Sequence, residues 1–309
     1  MAFSSIPLVL RDSSPPALTT DVIIPAFNEE NAIGRVLGDI PRHLVQEIIV
    51  CNNGSRDRTA EKARDYAVTV LDEPSKGYGS ACLRGINYIS AKPANEQPDL
   101  VVFMDADYSD FPQEMELLIA PIQAGIADLV IGSRAIGQLQ PGSMTIPQVF
   151  GNWLATRLIR FFYQVTFTDL GPFRAITWPA LRSLDMRDRT YGWTVEMQVK
   201  AAKKKLRCTE VPVSYRPRIG KSKVSGTVKG TILAGYKILW TILNIYEPHF
   251  PDHRLSDLWT LCPGDDLHYH ILPAPAQLIV ALSVSSRSPY CTNSVRFQTS
   301  QSYCAIAGI

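Results

Sequence analysis

Asp105 and Asp107 stand two residues apart at the end of the apolar run Leu100-Val101-Val102-Phe103-Met104. In an extended chain alternate side chains point the same way, so the two carboxylates can face one site. Such a pair suits a divalent cation that itself holds a diphosphate, because Mg²⁺ takes few carboxylates and fills its shell from substrate phosphates. Asp is also common in solvated turns, and the pair alone does not decide between these readings. A second group of reactive types is basic. Arg134 follows Gly132-Ser133, and Arg216, Arg218, Lys221 and Lys223 crowd the segment Arg216-Pro217-Arg218-Ile219-Gly220-Lys221-Ser222-Lys223. Arg binds phosphate through its planar fork and Lys as a point charge. No aromatic platform or groove helix accompanies the basic segment, so phosphate is expected there rather than nucleic acid.

These residues need strands to present them. Leu100 to Met104 is a continuous apolar run, which reads as a strand buried on both faces inside a parallel sheet. Asp21 to Ala26, Glu47 to Cys51, Val68 to Leu71 and Asp128 to Gly132 read as further strands. Between them Ile33, Val36, Leu37 and Ile40, then Leu83, Ile86 and Ile89, then Met115, Leu118, Ile119 and Ile122 recur at helical spacing. Asp57 and Asp110 stand where they can cap the helices that follow them. Strands alternating with helices in this rhythm predict a doubly wound, mostly parallel sheet. In such sheets ligands bind beyond the carboxyl ends of the strands, where the reactive residues fall.

Composition sets the bounds. With 309 residues, 46% hydrophobic and 19% charged, the chain can bury a full core. Net charge is only +2, but between Gly151 and Tyr246 basic residues outnumber acidic ones by roughly three to one, which points to an anionic partner. The six cysteines form no CxxC pair, so reduced thiols and a cytoplasmic setting are expected.

Taken in order, the strand-end motifs resemble those of family-2 glycosyltransferases with the GT-A fold. They are Pro25-Ala26-Phe27-Asn28-Glu29-Glu30, Asn53-Gly54-Ser55-x-Asp57, Lys76-Gly77-x-Gly79, Asp105-x-Asp107 and Gly132-Ser133-Arg134. The resemblance runs from about Asp21 to about Tyr246. It implies that Pro25, Asn28, Glu30, Asn53, Asp57, Lys76 and Gly77 surround the nucleotide of a sugar donor. Asp105 would take its ribose or diphosphate side, and Asp107 would ligate Mg²⁺ or Mn²⁺. Many relatives have two aspartates where this chain has Asn52-Asn53, which leaves uracil against guanine open. The basic segment resembles that of dolichyl- and polyprenyl-phosphate sugar synthases, matching at Arg134 and at Arg218, Lys221, Ser222 and Lys223. The implied acceptor is a lipid phosphate at the cytoplasmic membrane face. Asp169, in Asp169-Leu170-Gly171-Pro172-Phe173-Arg174, falls where many relatives carry an acid near the acceptor. It reads either as a general base for a hydroxyl acceptor or as a turn acid.

The expected organisation is a flexible leader over 1–20 and a GT-A domain over 21–246. Within it 21–134 is the nucleotide-sugar half and 135–246 the acceptor half, and a tail of unassigned role spans 247–309. Ile146, Phe150, Trp153, Leu154, Leu158, Phe161, Phe162 and Val165 recur at helical spacing with Arg157 and Arg160 between them. This helix is expected to pack on the sheet, with a peripheral membrane contact as the other reading. Gly230 to Tyr246 is apolar apart from Lys237, short of the ~20 apolar residues of a spanning helix. It reads as a buried or interfacial helix.

Overall fold

Strand β1 (Thr20–Ala26) sends Ile23 to one apolar cluster and Val22, Ile24 and Ala26 to another, the period-two split of a strand covered on both faces. The structure, a computed structural model, describes residues 18–220 and 228–246, with backbone alone for 228–234. After β1 come α1 (Ile33–Asp39), β2 (Glu47–Asn52), α2 (Thr59–Arg64), β3 (Thr69–Asp72), α3 (Tyr78–Ala91) and β4 (Leu100–Phe103). Then follow α4 (Met115–Gln123), β5 (Leu129–Leu139), α5 (Ile146–Tyr163), β6 (Arg174–Thr177), α6 (Trp178–Leu184), α7 (Trp193–Lys203), β7 (Cys208–Tyr215) and α8 (Val228–Ile245).

The strands form one sheet in the order β3-β2-β1-β4-β6-β5-β7. β1 pairs in parallel with β2 and β4, β2 with β3, and β5 with β7. β6 runs antiparallel between β4 and β5. One face is covered by α1, α2 and α4 through Ile33, Val36, Ala63, Met115 and Leu118. The other lies under α3, α6 and α7 through Cys82, Ile89, Leu181, Trp193 and Val199, with Phe103 and Trp193 rings 5.9 Å apart. The result is the α/β sandwich expected. Every strand from β1 to β4 delivers its loop to the same edge, because parallel strands share a carboxyl end.

Three sequence expectations change here. β6 and α6 follow a Gly-Pro turn and were not expected as elements, since four residues of strand are too few to show a period. Asp110 caps no helix: a 3-10 turn (Pro112–Glu114) intervenes before α4, and Asp110 is 2% exposed beside Asp105. α5 does pack inward through Ala155, Ile159 and Phe162, but Ile146, Phe150, Trp153 and Phe161 face outward. The leader to residue 17, the segment 221–227 and the tail 247–309 lie outside the described residues.

Candidate active site

β4 ends against β1, so its continuation Met104 to Asp110 crosses the sheet edge beside the β1 loop. There Asp105, Ala106 and Asp107 line a cavity of about 290 Å³ together with Pro25, Phe27, Glu29, Asn53, Lys76, Gly77, Tyr78, Tyr191 and Arg218. Asp107 turns one oxygen inward to Ser109, accepting from its backbone N (2.9 Å) and its hydroxyl (2.5 Å). Its other oxygen pairs with Arg218 Nη2 at 2.6 Å, and Arg218 also reaches Glu29 at 3.4 Å. Arg218 is held there by the chain after β7, where Ile219 N donates to the Asp107 carbonyl and Arg216 stacks on Tyr108 and Phe111. Burial, then the charge of Asp107, pushes the Asp105 carboxyl upward; burial, then Asp105 and Asp107, does the same to Asp110.

Of the residues expected around a nucleotide, Pro25, Asn53, Lys76, Gly77 and Asp105 line this cavity. Asn28, Glu30 and Asp57 lie in a layer behind it. Asn28 Oδ1 accepts from Arg56 N, Glu30 Oε2 from Arg58 N, and Asp57 binds Glu30 N, Thr59 N and the Thr59 hydroxyl. They fasten the β1–α1 loop to the start of α2. Asn28 sits at φ 54°, a left-handed conformation asparagine tolerates. Asn53 donates to Glu73 O (3.2 Å) and Ser75 O (2.7 Å) and accepts from Gly77 N (2.8 Å), so it shapes the turn into α3. Gly77 (φ 140°) and Gly79 let that turn approach the backbone of Asp188 and Arg189, where a Cβ on either would stand 2.0 Å from a carbonyl oxygen.

The basic residues divide. Arg134 lies at the register shift between β5 and β7, where an irregular pairing re-aims side chains. Its guanidinium grips Asp169 with Nε and Nη2, both at 2.7 Å, and its backbone N donates to the same carboxylate at 2.8 Å. The ring of Tyr215 lies 4.9 Å below it. Asp169 is 1% exposed and its carboxylate accepts from three nitrogens of Arg134, an arrangement for holding an arginine. The loop carrying it is pinned from three elements. Glu210 on β7 accepts from Thr168 N and Asp169 N, Asn152 on α5 bonds Thr168 O and Leu170 N, and Gln198 on α7 donates to Asp169 O. Arg174, wholly buried, donates to the carbonyls of Leu170, Gly171 and Thr194. The charge of Arg134 reaches Asp105 and Asp110 and opposes their upward shift. Lys221, Ser222 and Lys223 lie outside the described residues.

The residues fit a hard divalent cation. One oxygen each of Asp105 and Asp110 is buried with no hydrogen-bond donor, which is costly unless a cation comes to it. Among the described residues no three side chains converge into a closed metal shell, so a cation drawn to Asp105 would fill its shell from phosphate oxygens and water.

Sequence reasoning missed Phe27, Glu29, Tyr78, Tyr191 and Asp110. Asp110 carried a signal, a third acid within five residues of Asp105, but the adjoining proline reads as a helix start. Tyr191 carried none, since it comes from a loop more than eighty residues further on.

Residues 21–183 match the family described as Glycosyl transferase family 2. An uncharacterized glycosyltransferase of Mycobacterium tuberculosis is 36% identical over 69% of this chain and 93% of its own. The undecaprenyl-phosphate mannosyltransferase of Micrococcus luteus is 30% identical over 67% of this chain and 88% of its own. Among solved structures, glucosyl-3-phosphoglycerate synthase from M. tuberculosis, in complex with Mn²⁺, UDP and glucosyl-3-phosphoglycerate, superimposes with a TM-score of 0.59. It is 22% identical and the match covers 76% of this chain and 82% of that one, a likeness of fold.

Proposed function

The chain belongs to glycosyl transferase family 2, and from that premise we propose that it transfers a sugar from a nucleoside diphosphate to a polyprenyl phosphate at the cytoplasmic face of a membrane. The observation that carries the choice of acceptor is the Arg134–Asp169 pair. A hydroxyl acceptor needs a general base, and the acid nearest that role has its carboxylate committed to an arginine. A phosphate oxyanion needs none. Its oxygen attacks the anomeric carbon, the carbon–oxygen bond to the diphosphate breaks, and the nucleoside diphosphate leaves with the electron pair. The undecaprenyl-phosphate specificity in the name of the M. luteus relative supports the same reading.

In this reading Asn53, Gly77 and Tyr191 shape the nucleotide pocket, with Pro25 and Phe27 as its apolar wall. Asp105 and Asp107 would hold Mg²⁺ or Mn²⁺, which when bound supplies positive charge to the diphosphate. Arg218 already faces that position, and moving its guanidinium from Asp107 to a phosphate oxygen exchanges one charge-assisted contact for another. Arg134, held by Asp169, is assigned to the acceptor phosphate in this reading.

The test is a panel of UDP- and GDP-sugars with Mg²⁺ or Mn²⁺, offered a short-chain polyprenyl phosphate or a soluble hydroxyl acceptor. A glycosyl phospholipid should form with one donor, and Asp107→Ala should lose turnover at least 10²-fold, the scale of removing one electrostatic group from a reaction centre. Transfer confined to the hydroxyl acceptor, or full turnover in excess chelator, overturns the proposal.

A further inference from the structure

Helix α5 carries Ile146, Phe150, Trp153 and Phe161 on the outside, while Phe162 packs inward. Ile146 is 86% exposed, Phe150 60%, Trp153 50% and Phe161 71%. With Arg157 and Arg160 they fall at positions 146, 150, 153, 157, 160 and 161, a single stripe at helical spacing along about 27 Å of helix. The inward side carries polar groups at its centre, where Asn152 and Thr156 point in beside Ala155 and Ile159. A helix that shows three of its aromatic rings and hides an amide is built for two surroundings, and only the inner one is supplied by the described residues.

The chemistry of the stripe selects its occupant. The rings of Phe150 and Trp153 lie 5.8 Å apart and tilted by 31°, and the guanidinium of Arg157 lies 5.8 Å from the Trp153 ring. From residue 129 to residue 168 the chain contains no Asp or Glu, while it contains Arg134, Arg157 and Arg160. A second copy pressed on this face would bring like charges together with no acid on the stripe to meet them. A leaflet with anionic headgroups satisfies both halves, taking the rings at the acyl boundary and the arginines at the phosphates. The helix cannot leave the protein to cross the bilayer, because Ala155 and Ile159 are sealed in the core, and no helix among the described residues is long and apolar enough to span.

We propose that α5 is a bilayer-docking helix and that Asn152 ties the acceptor arginine to the plane it docks in. The tie is short. Asn152 holds Thr168 O at 3.0 Å and Leu170 N at 2.8 Å, and between those two residues stands Asp169, which grips Arg134. The helix that rests on the leaflet therefore carries the loop that aims the acceptor site. This rests on the reading of the acceptor as a lipid phosphate and adds the surface by which a buried headgroup is reached.

The experiment compares the full chain with a Phe150→Ser/Trp153→Ser double variant and with Arg157→Gln/Arg160→Gln. All four positions are exposed, so folding is expected to survive, and a circular dichroism melt checks it. Co-sedimentation uses vesicles of phosphatidylcholine with and without phosphatidylglycerol. The parent should bind the anionic vesicles. The aromatic variant should lose binding at least tenfold, and the arginine variant should lose about fivefold per arginine on anionic vesicles only, the equivalent of ~1 kcal/mol each. Transfer to bilayer-embedded polyprenyl phosphate should fall with vesicle binding, whereas transfer to a short, water-soluble polyprenyl phosphate should be unchanged in both variants. A parent that stays in solution overturns the proposal, whether light scattering then finds a dimer that the aromatic variant splits or a monomer whose stripe is covered by its own 247–309 segment. Vesicle binding indifferent to all four substitutions overturns it too. If the parent binds vesicles through the stripe but glycosylates no polyprenyl phosphate, the acceptor reading fails and the docking surface stands.

Discussion

The amide of Asn53 is spent inside the protein: both its hydrogens go to carbonyls of the β3–α3 turn and its oxygen receives Gly77 N. That gives a physical reason for a neutral residue at a position where the family resemblance suggested aspartate. A carboxylate there would face Glu73 O and Ser75 O with nothing to donate. Asn53→Asp is therefore expected to cost about 1–3 kcal/mol of stability, the scale of leaving buried acceptors unpaired, and to raise the KM for the nucleotide sugar as the turn loosens. Urea unfolding with donor titration checks it, and an unchanged midpoint would show that the turn does not depend on the amide. Asp169 teaches the same lesson. Its residue type suggested a base or a turn acid, while its carboxylate is held bidentately against Arg134.

At the scale of elements, the site depends on a close approach between the start of α3 and the loop before α7. Gly79 N donates to Thr190 O, Ser80 N to Arg189 O, and Tyr191 extends from that loop into the cavity. Lys237 of α8 holds Asp188 at 2.9 Å on the far side. Gly79→Ala would set a methyl 2.0 Å from Asp188 O, so the loop must move away with Tyr191. The expected result is a loss of about 1–3 kcal/mol, the usual cost of overpacking, and weaker donor binding with a smaller effect on kcat. Calorimetry of donor binding reads this directly: parental affinity in Gly79→Ala would mean that Tyr191 contributes nothing to the pocket.

For the whole molecule, one buried cation joins three elements at the end of the sheet remote from the active site. Lys92, just after α3, lies 2.7 Å from Asp21 of β1 and 2.5 Å from Glu47 of β2, and the Asp21 side chain is 0% exposed. Burial pushes the Asp21 carboxyl up, against the pull of Lys92. For Glu47 burial acts upward too, but the bonds from Lys92, Thr69 and Tyr88 prevail and hold it low; Lys92 itself is held high by both acids against its own burial. Glu47 thus contributes stability above the ordinary carboxylate range and loses it as pH falls through its depressed value. Lys92 contributes below the ordinary lysine range and loses it as pH rises through its elevated one. Asp21 has the opposite sign to Glu47, favouring the fold more as pH drops. Lys92→Met strands a buried carboxylate and should cost about 3–5 kcal/mol at pH 7. The deficit should shrink towards pH 4 as Asp21 protonates, and thermal melts across that range would count against the account if it stayed constant.

The continuous apolar runs and helical patterns of residues 21–134 were enough to set the parallel βα succession, because each strand there is a local run whose neighbours follow at once in the chain. The strand-end motifs likewise located Asp105, Asp107, Gly77 and Asn53 at one edge, since parallel strands share that edge whatever their order. What local pattern could not carry was pairing over distance. β6 takes its place between β4 and β5 from a four-residue run. Glu29 meets Arg218, and Tyr191 lines one cavity with Gly77, each across more than a hundred residues. The role of Asp169 turned on which charge came to lie against it, and the face of α5 turned on which of its sides α7 and α8 left uncovered. Helical spacing gives the width of an apolar stripe, but only packing decides whether that stripe is covered by protein.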